Sequence, residues 1–236
     1  MGWDIPLPVG TAGAVQRHLS PARLSTYLTA TGGDLDAAVD LYRWNAAVSA
    51  ALWESIGHAE VVLRNATHDA LSARHAAKGR QGQWYDDPAH ELDHHARDDV
   101  ANAIRRTRAG ARPPAGKVVA ELSFGFWRYL LAKRYTALLW PALRPAFPFL
   151  GGSDRRLLEA PVAKVHRLRN RVAHHEPVIA EDLAAVHADI LTTVGAVEPA
   201  LRAWVGGDSR VLTLVALRPA SGTRLGEHHV QSRSQN

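Results

Sequence analysis

The residues best suited to chemistry lie together in the segment RNRVAHHEPV, between Arg169 and Val178. Arginine stays charged and can grip two phosphate oxygens, whereas histidine can accept or release a proton near neutrality. Cleavage of RNA by its own 2′-hydroxyl requires a base for that hydroxyl, an acid for the 5′-oxygen and a cation beside the phosphate. Arg169 and His174 supply these functions without a metal, and Asn170 could orient either group.

The spacing of this motif poses a geometric problem. Arg169 and His174 are five positions apart, which places their side chains about 140° apart around a regular helix. They cannot converge within one undistorted helix. Either the helix unwinds before His174, or residues from two protomers meet across a two-fold axis.

Apolar residues recur at helical spacing through most of the chain and predict an all-α fold. The longest stripe begins at Leu41 and predicts a helix over residues 35–74, with Asp34 as its N-cap. Further helices are predicted from Ser20-Pro21 to Gly32-Gly33, over 89–109, over 117–135, from about 158 to His175, and over 183–204 with a kink at Pro199. Residues 211–217 are compatible with a short strand.

Composition narrows the class of protein. The chain is 46% hydrophobic and 22% charged, which is ordinary for a globular protein. No apolar run approaches the ~18 residues that cross a bilayer, and the start of the chain lacks the pattern of a secretory signal, so we expect a cytoplasmic protein. With no cysteine, the chain has no disulfide, thiol nucleophile or zinc ribbon.

We predict one domain over 1–217 and a flexible tail over 218–236.

The charge balance is basic. The 28 Lys and Arg residues exceed the 23 Asp and Glu residues and give a net charge of +5. Arginine supplies 24 of those cations, and codon bias in a GC-rich genome explains most of that excess. Two segments, Arg97 to Lys117 and Asp154 to Glu176, each hold six basic residues against two and three acidic ones. Together they could flank one anionic ligand.

Other chemical patterns have simpler explanations. The Glu91-x2-His94-His95 segment has the spacing of half a di-iron site, but one pair is not enough, and a solvated helix face is preferred. His174, His175 and Glu176 are potential metal ligands, yet adjacent helical side chains diverge, so no metal is expected. Five tryptophans could stack on bases but are predicted to pack in the core, namely Trp44, Trp53, Trp127, Trp140 and Trp204.

Four motifs together resemble a known family. They are LYRWN at 41–45, EVVLRNA at 60–66, FGFWR at 124–128 and RNRVAHHEPV, and they stand in the family's order over roughly residues 20–179. The chain resembles the Abi-like (abortive infection) proteins of the HEPN superfamily. This resemblance implies a HEPN-type helical bundle with additional N-terminal helices, no cofactor, and a homodimer with the motif at or near the two-fold interface.

The resemblance also implies roles for particular residues. Arg169, Asn170 and His174 match the family's metal-independent endoribonuclease motif, and their neighbours Arg171, His175 and Glu176 count as supporting residues. Glu60 and Arg64 match the Glu-x3-basic pair of many HEPN ribonucleases, although the same spacing suits an i, i+4 ion pair. Arg64-Asn65-x2-His68 resembles a second motif, but its histidine is one position too near.

Three functions therefore stay open at this stage. The first is an endoribonuclease of the abortive-infection or toxin type that acts on phage or host RNA, with an unknown antitoxin or regulator. The second is a non-catalytic helical module that binds RNA or a protein. In the third, Arg169, His174 and Glu176 form a structural network that fixes the helix end and the dimer.

Overall fold

A computed structural model describes residues 7–87, 91–107 and 113–219, and within them the chain is entirely helical apart from turns and loops. The predicted all-α fold is thereby confirmed for these residues. The α-helices are α1 (Thr11–His18), α2 (Pro21–Ala30), α3 (Leu35–Ala77), α4 (His94–Arg106), α5 (Ala115–Glu121), α6 (Phe124–Leu130), α7 (Trp140–Leu143), α8 (Arg156–Ala173), α9 (Leu183–Val197), α10 (Pro199–Asp208) and α11 (Val211–Ala216). Short 3-10 turns cover Trp84–Asp86, Lys133–Tyr135 and Arg144–Ala146.

Bilayer crossing needs a helix that is both long and apolar, and no helix in the described ranges combines the two properties. The predicted tail, 218–236, lies outside the described residues from residue 220 onward.

The described residues form two compact units. The first contains residues 7–48 and 213–219, and the second contains residues 49–212. In the first unit the rings of Tyr27 and Tyr42 meet edge to face, 5.3 Å between centroids, and Trp44 Nε1 donates a hydrogen bond to the Leu214 carbonyl at 2.6 Å. The single domain predicted over 1–217 stays a prediction.

Helix α3 matches its prediction closely, because it begins at Leu35 and continues for 43 residues without interruption. In the second unit Leu52, Ile56 and Leu63 of its apolar stripe are fully buried. Periodic burial of this kind stabilises a long helix more than the propensities of its residues do.

Helix α8 contributes the other predicted stripe of the second unit. Its residues Leu158, Val162, Val165, Leu168 and Val172 are all buried. This face packs against α9 and α6. The remaining residues of α8 are exposed or half-exposed, and Arg169 and Asn170 are among the half-exposed ones.

The helix predicted over 117–135 is broken in the structure. Helix α5 ends at Glu121, and Ser123 starts α6 by accepting the Phe126 amide on its Oγ at 3.3 Å. A serine cap satisfies an otherwise unpaired amide and favours extended backbone at its own position. The apolar pattern continues past Ser123, so the sequence did not indicate this cap. The predicted kink at Pro199 is likewise a full break between α9 and α10.

Two further boundaries differ from prediction. The helix predicted over 89–109 is α4, which begins after the N-cap Asp93 and ends at Arg106, while residues 88–90 and 108–112 lie outside the described residues. Residues 211–217 form no strand but the helix α11 and one following residue. Its β-branched valines suggested extended structure, but the Ser209 hydroxyl accepts the Val211 amide at 3.3 Å and starts a helical turn.

Candidate functional site

The candidate motif occupies the C-terminal end of α8. Arg169 and Asn170 lie among its last five residues, and the His174 amide still donates to the Asn170 carbonyl at 3.0 Å. The helix therefore does not unwind before His174, which answers one of the two alternatives left open by the sequence. The side chains of Arg169 and His174 leave the helix about 140° apart. Within one chain the structure does not bring them together.

The helix ends in a Schellman motif built around His175. The His175 amide donates to the Val172 carbonyl at 3.0 Å, and the Glu176 amide donates to the Arg171 carbonyl at 2.8 Å. His175 has a left-handed backbone, with φ of 54°, at the position that glycine usually occupies. His174, His175 and Glu176 are all exposed.

Arg171 holds the chain that follows this turn. Its Nη2 donates to the Pro177 carbonyl at 2.7 Å, while Nη1 lies 3.8 Å from Glu176 Oε2 and Nε lies 3.5 Å from Glu181 Oε1. Arg171 and Glu176 thus stabilise the segment that follows the helix. The network proposed for Arg169, His174 and Glu176 forms instead around Arg171.

Arg169 points from α8 toward α3. Its Nε lies 3.8 Å from Glu60 Oε2, and its guanidinium lies over the Trp53 ring, 5.4 Å from the centroid. That Nε is buried and has no hydrogen-bond partner within the described ranges. The pairing with Glu60 is therefore a charge contact, and the guanidinium keeps hydrogen-bonding capacity for an anion.

Glu60 is joined to the candidate motif by its contact with Arg169 and not by an ion pair with Arg64. Burial raises the pKa of the Glu60 carboxyl, and the charges of Arg169 and then Arg64 oppose that rise. The i, i+4 ion pair considered from the sequence is not formed, because Arg64 Nε lies instead 3.5 Å from the Asn65 side-chain oxygen.

His166 is a member of this cluster that the sequence analysis missed. Asn170 Nδ2 donates to His166 Nε2 at a long 3.5 Å, and the imidazole meets the Phe124 ring edge to face, 5.6 Å between centroids. A Cβ at Gly125 would lie 3.2 Å from His166 Nε2, so a larger residue there would push the imidazole away. The available signal was the four-residue spacing of His166 and Asn170 on one helical face.

The surroundings of His166 favour its neutral form. Burial lowers the pKa of the His166 imidazole, and the positive charges of Arg128 and Arg169 lower it further. Arg128 comes from α6, where its Nη2 lies 3.7 Å from Glu159 Oε1. An imidazole of lowered pKa and an amide thus lie near two guanidinium groups. This half of the site can hold an anion and orient it by hydrogen bonds.

The remaining histidine patterns have structural partners. His68, of the near-copy of the motif, accepts the Trp84 indole N–H on Nδ1 at 2.9 Å. Glu91 contacts Arg74, at 3.0 Å, and Lys78, whereas the rings of His94 and His95 lie 3.9 Å apart. Across the described ranges, no three histidine or acidic side chains are grouped so as to hold a metal ion.

The prediction that the five tryptophans pack in the core is partly wrong. Trp44, Trp127 and Trp140 are buried, but Trp53 and Trp204 are 46% and 48% exposed. Both residues lie beside apolar stripes in the sequence, which favoured a core position. In the structure each ring lies at the edge of its stripe, against a polar partner. Trp53 contacts Arg169, and Trp204 contacts His58 with 4.6 Å between ring centroids.

The left-handed turn leads to a prediction about stability. The left-handed conformation destabilises a residue with a Cβ by roughly 1–2 kcal/mol, and a β-branched residue by more. We expect His175→Gly to raise the free energy of unfolding by up to about 1 kcal/mol and His175→Val to lower it by roughly 1–2 kcal/mol. Urea unfolding of both variants checks the order. A valine variant as stable as the glycine variant would contradict the assigned turn.

A second prediction follows from the lowered pKa of His166. The unfolded chain binds a proton near pH 6.5 that the folded chain resists, so this contribution to stability is complete above pH 6.5 and is lost as the pH falls through the folded pKa. His166→Gln should therefore show a shallower fall of unfolding free energy between pH 8 and pH 5.5 than the unmodified chain. His174→Gln, an exposed histidine on the same helix end, is the matched control. Equal slopes for His166→Gln and the unmodified chain would count against the lowered pKa of the half-buried imidazole.

Comparison with known proteins adds no assignment. No protein-family model, curated protein or solved structure matches the chain. Any function proposed for the chain depends on its own residues and their geometry.

Proposed function

We propose that this chain is a metal-independent endoribonuclease, an Abi-like member of the HEPN superfamily that cleaves phage or host RNA inside a bacterial cell. The observation that carries the proposal is the end of α8, where Arg169 and Asn170 lie among the last five residues of the helix and His174 is exposed at the helix end. The all-α fold and the contact of Arg169 with Glu60 support it. No cofactor is needed for this chemistry.

The reaction is a transesterification within the RNA. His174 takes the proton of the 2′-hydroxyl, the 2′-oxygen forms a bond to phosphorus, and the bond from phosphorus to the 5′-oxygen breaks. The imidazolium so formed returns the proton to the 5′-oxygen. The products are a 2′,3′-cyclic phosphate and a 5′-hydroxyl. Arg169 stabilises the charge of the phosphorane, and Asn170, oriented by His166, positions the phosphate.

Assembly of this site requires two protomers. Because α8 stays helical to Ala173, Arg169 and His174 diverge within one chain. A two-fold axis near the helix ends brings Arg169 of one protomer to His174 of its partner. The proposed active form is a homodimer, whose antitoxin or regulator is unknown.

A non-catalytic RNA-binding module is the second candidate. The contacts of Arg169 favour it, since Glu60 and Trp53 already hold the guanidinium on the side away from His174. Binding through Arg169 and Arg128 needs no convergence with His174. The two candidates differ in whether RNA is cut.

Removal of His174 is the decisive test of catalysis. His174→Ala should reduce RNA cleavage by roughly 10²- to 10⁴-fold, because proton transfer is lost, while RNA binding and the melting temperature stay near those of the unmodified chain. EDTA should have no effect, and RNA with a 2′-deoxy nucleotide at the cut position should resist cleavage. His175→Ala, which removes the neighbouring exposed imidazole, is the control and should matter less.

The two candidates and the structural alternative give different outcomes. Cleavage that persists in folded His174→Ala protein, or that stops with EDTA, contradicts the mechanism and favours the binding module. A fall in melting temperature with a matching fall in activity assigns His174 a structural role.

A further inference from the structure

Two exposed aromatic rings of the second unit lie beside the motif, and each has a guanidinium group over its face. Trp53 and Tyr129 are 46% and 47% exposed. Arg169 Cζ lies 5.4 Å from the Trp53 centroid, and Arg128 Cζ lies 4.5 Å from the Tyr129 centroid. These are the two arginines whose charges act on His166.

A chain of contacts joins the two rings through the motif. Arg169 of α8 meets Trp53 of α3, and the next residue, Asn170, donates to His166. The His166 ring in turn lies 6.3 Å from that of Tyr129 on α6, between centroids. Both aromatic rings therefore adjoin the polar groups that the proposed function assigns to the phosphate.

We propose that Trp53 and Tyr129 are stacking platforms for unpaired bases, and that the ligand of this surface is single-stranded RNA. This inference deepens the proposed function and rests on it for the identity of the ligand as RNA. Large exposed rings beside arginines bind bases of any sequence through their π-faces, while the arginines bind the intervening phosphates.

The same geometry disfavours a duplex. In a double helix each base face is covered by its neighbours, so internal bases offer no free face to Trp53 or Tyr129. An unpaired strand can place one base on each ring and the phosphates between them near Arg169 and Arg128. The rings thus select for strand state rather than for base identity.

The experiment measures binding of a short fluorescent oligouridine to full-length His174→Ala protein, so that cleavage does not interfere. The test variants are Trp53→Leu and Tyr129→Leu, which change no charge. Trp53→Phe and Tyr129→Phe keep an aromatic face. Trp204→Leu is the matched control, because Trp204 is 48% exposed but contacts His58 instead of an arginine.

Each leucine variant at 53 or 129 should weaken binding by roughly 5- to 150-fold, the range for loss of one stacked base. The phenylalanine variants and Trp204→Leu should stay within about threefold of the parent. Binding to the same strand in a duplex should be weaker and insensitive to both leucine variants. Melting temperatures exclude loss of fold as the cause.

Three outcomes overturn the inference. These are unchanged single-strand binding in both leucine variants, an equal loss in Trp204→Leu, and a change of oligomeric state on light scattering, which assigns the rings to a protein interface. Cleavage by the unmodified chain is assayed in parallel. If the unmodified chain does not cleave RNA but the leucine variants bind it more weakly, the proposed catalysis is wrong and the stacking surface stands. If the unmodified chain cleaves RNA and the leucine variants bind it as tightly as the parent, the stacking surface is wrong and the catalysis stands.

Discussion

Backbone hydrogen bonding along α8 fixes the directions in which the motif's side chains can act. The last regular bond joins the His174 amide to the Asn170 carbonyl, and the left-handed His175 then turns the chain away. Arg171 secures the segment beyond the turn through the Pro177 carbonyl. Because the helix is regular and capped, its backbone cannot bend to bring Arg169 to His174. Every functional proposal for the chain has to satisfy that constraint.

The polar side of α8 is organised by its neighbours rather than by the motif alone. Glu60 of α3 draws Arg169 to one side, while α6 supplies Gly125, whose missing Cβ admits the His166 ring. The result is a basic, half-buried cluster in which the pKa of His166 is lowered and its Nε2 accepts the amide of Asn170. In the proposed function this cluster receives a phosphate, and its donors are oriented before the anion arrives.

Much of this arrangement follows from the sequence, for a physical reason. The buried stripes of α3 and α8 have a period that depends only on helix geometry, so both helices were predicted within a few residues. The break at Ser123 was missed because a single cap outweighs the periodicity around it. The contact of Glu60 with Arg169 joins residues 109 positions apart, and no local pattern encodes it. His166 was missed for the same reason, since Gly125 of another helix defines its position.

The most direct test of the central claim, that the active site is shared between protomers, is complementation between two inactive variants. Arg169→Ala and His174→Ala proteins are unfolded together, refolded as a mixture and assayed for RNA cleavage. If each site takes Arg169 from one protomer and His174 from its partner, mixed dimers contain one intact site, and the mixture should recover about a quarter of the unmodified activity. A mixture that exchanges subunits but stays as inactive as its components would contradict the shared site.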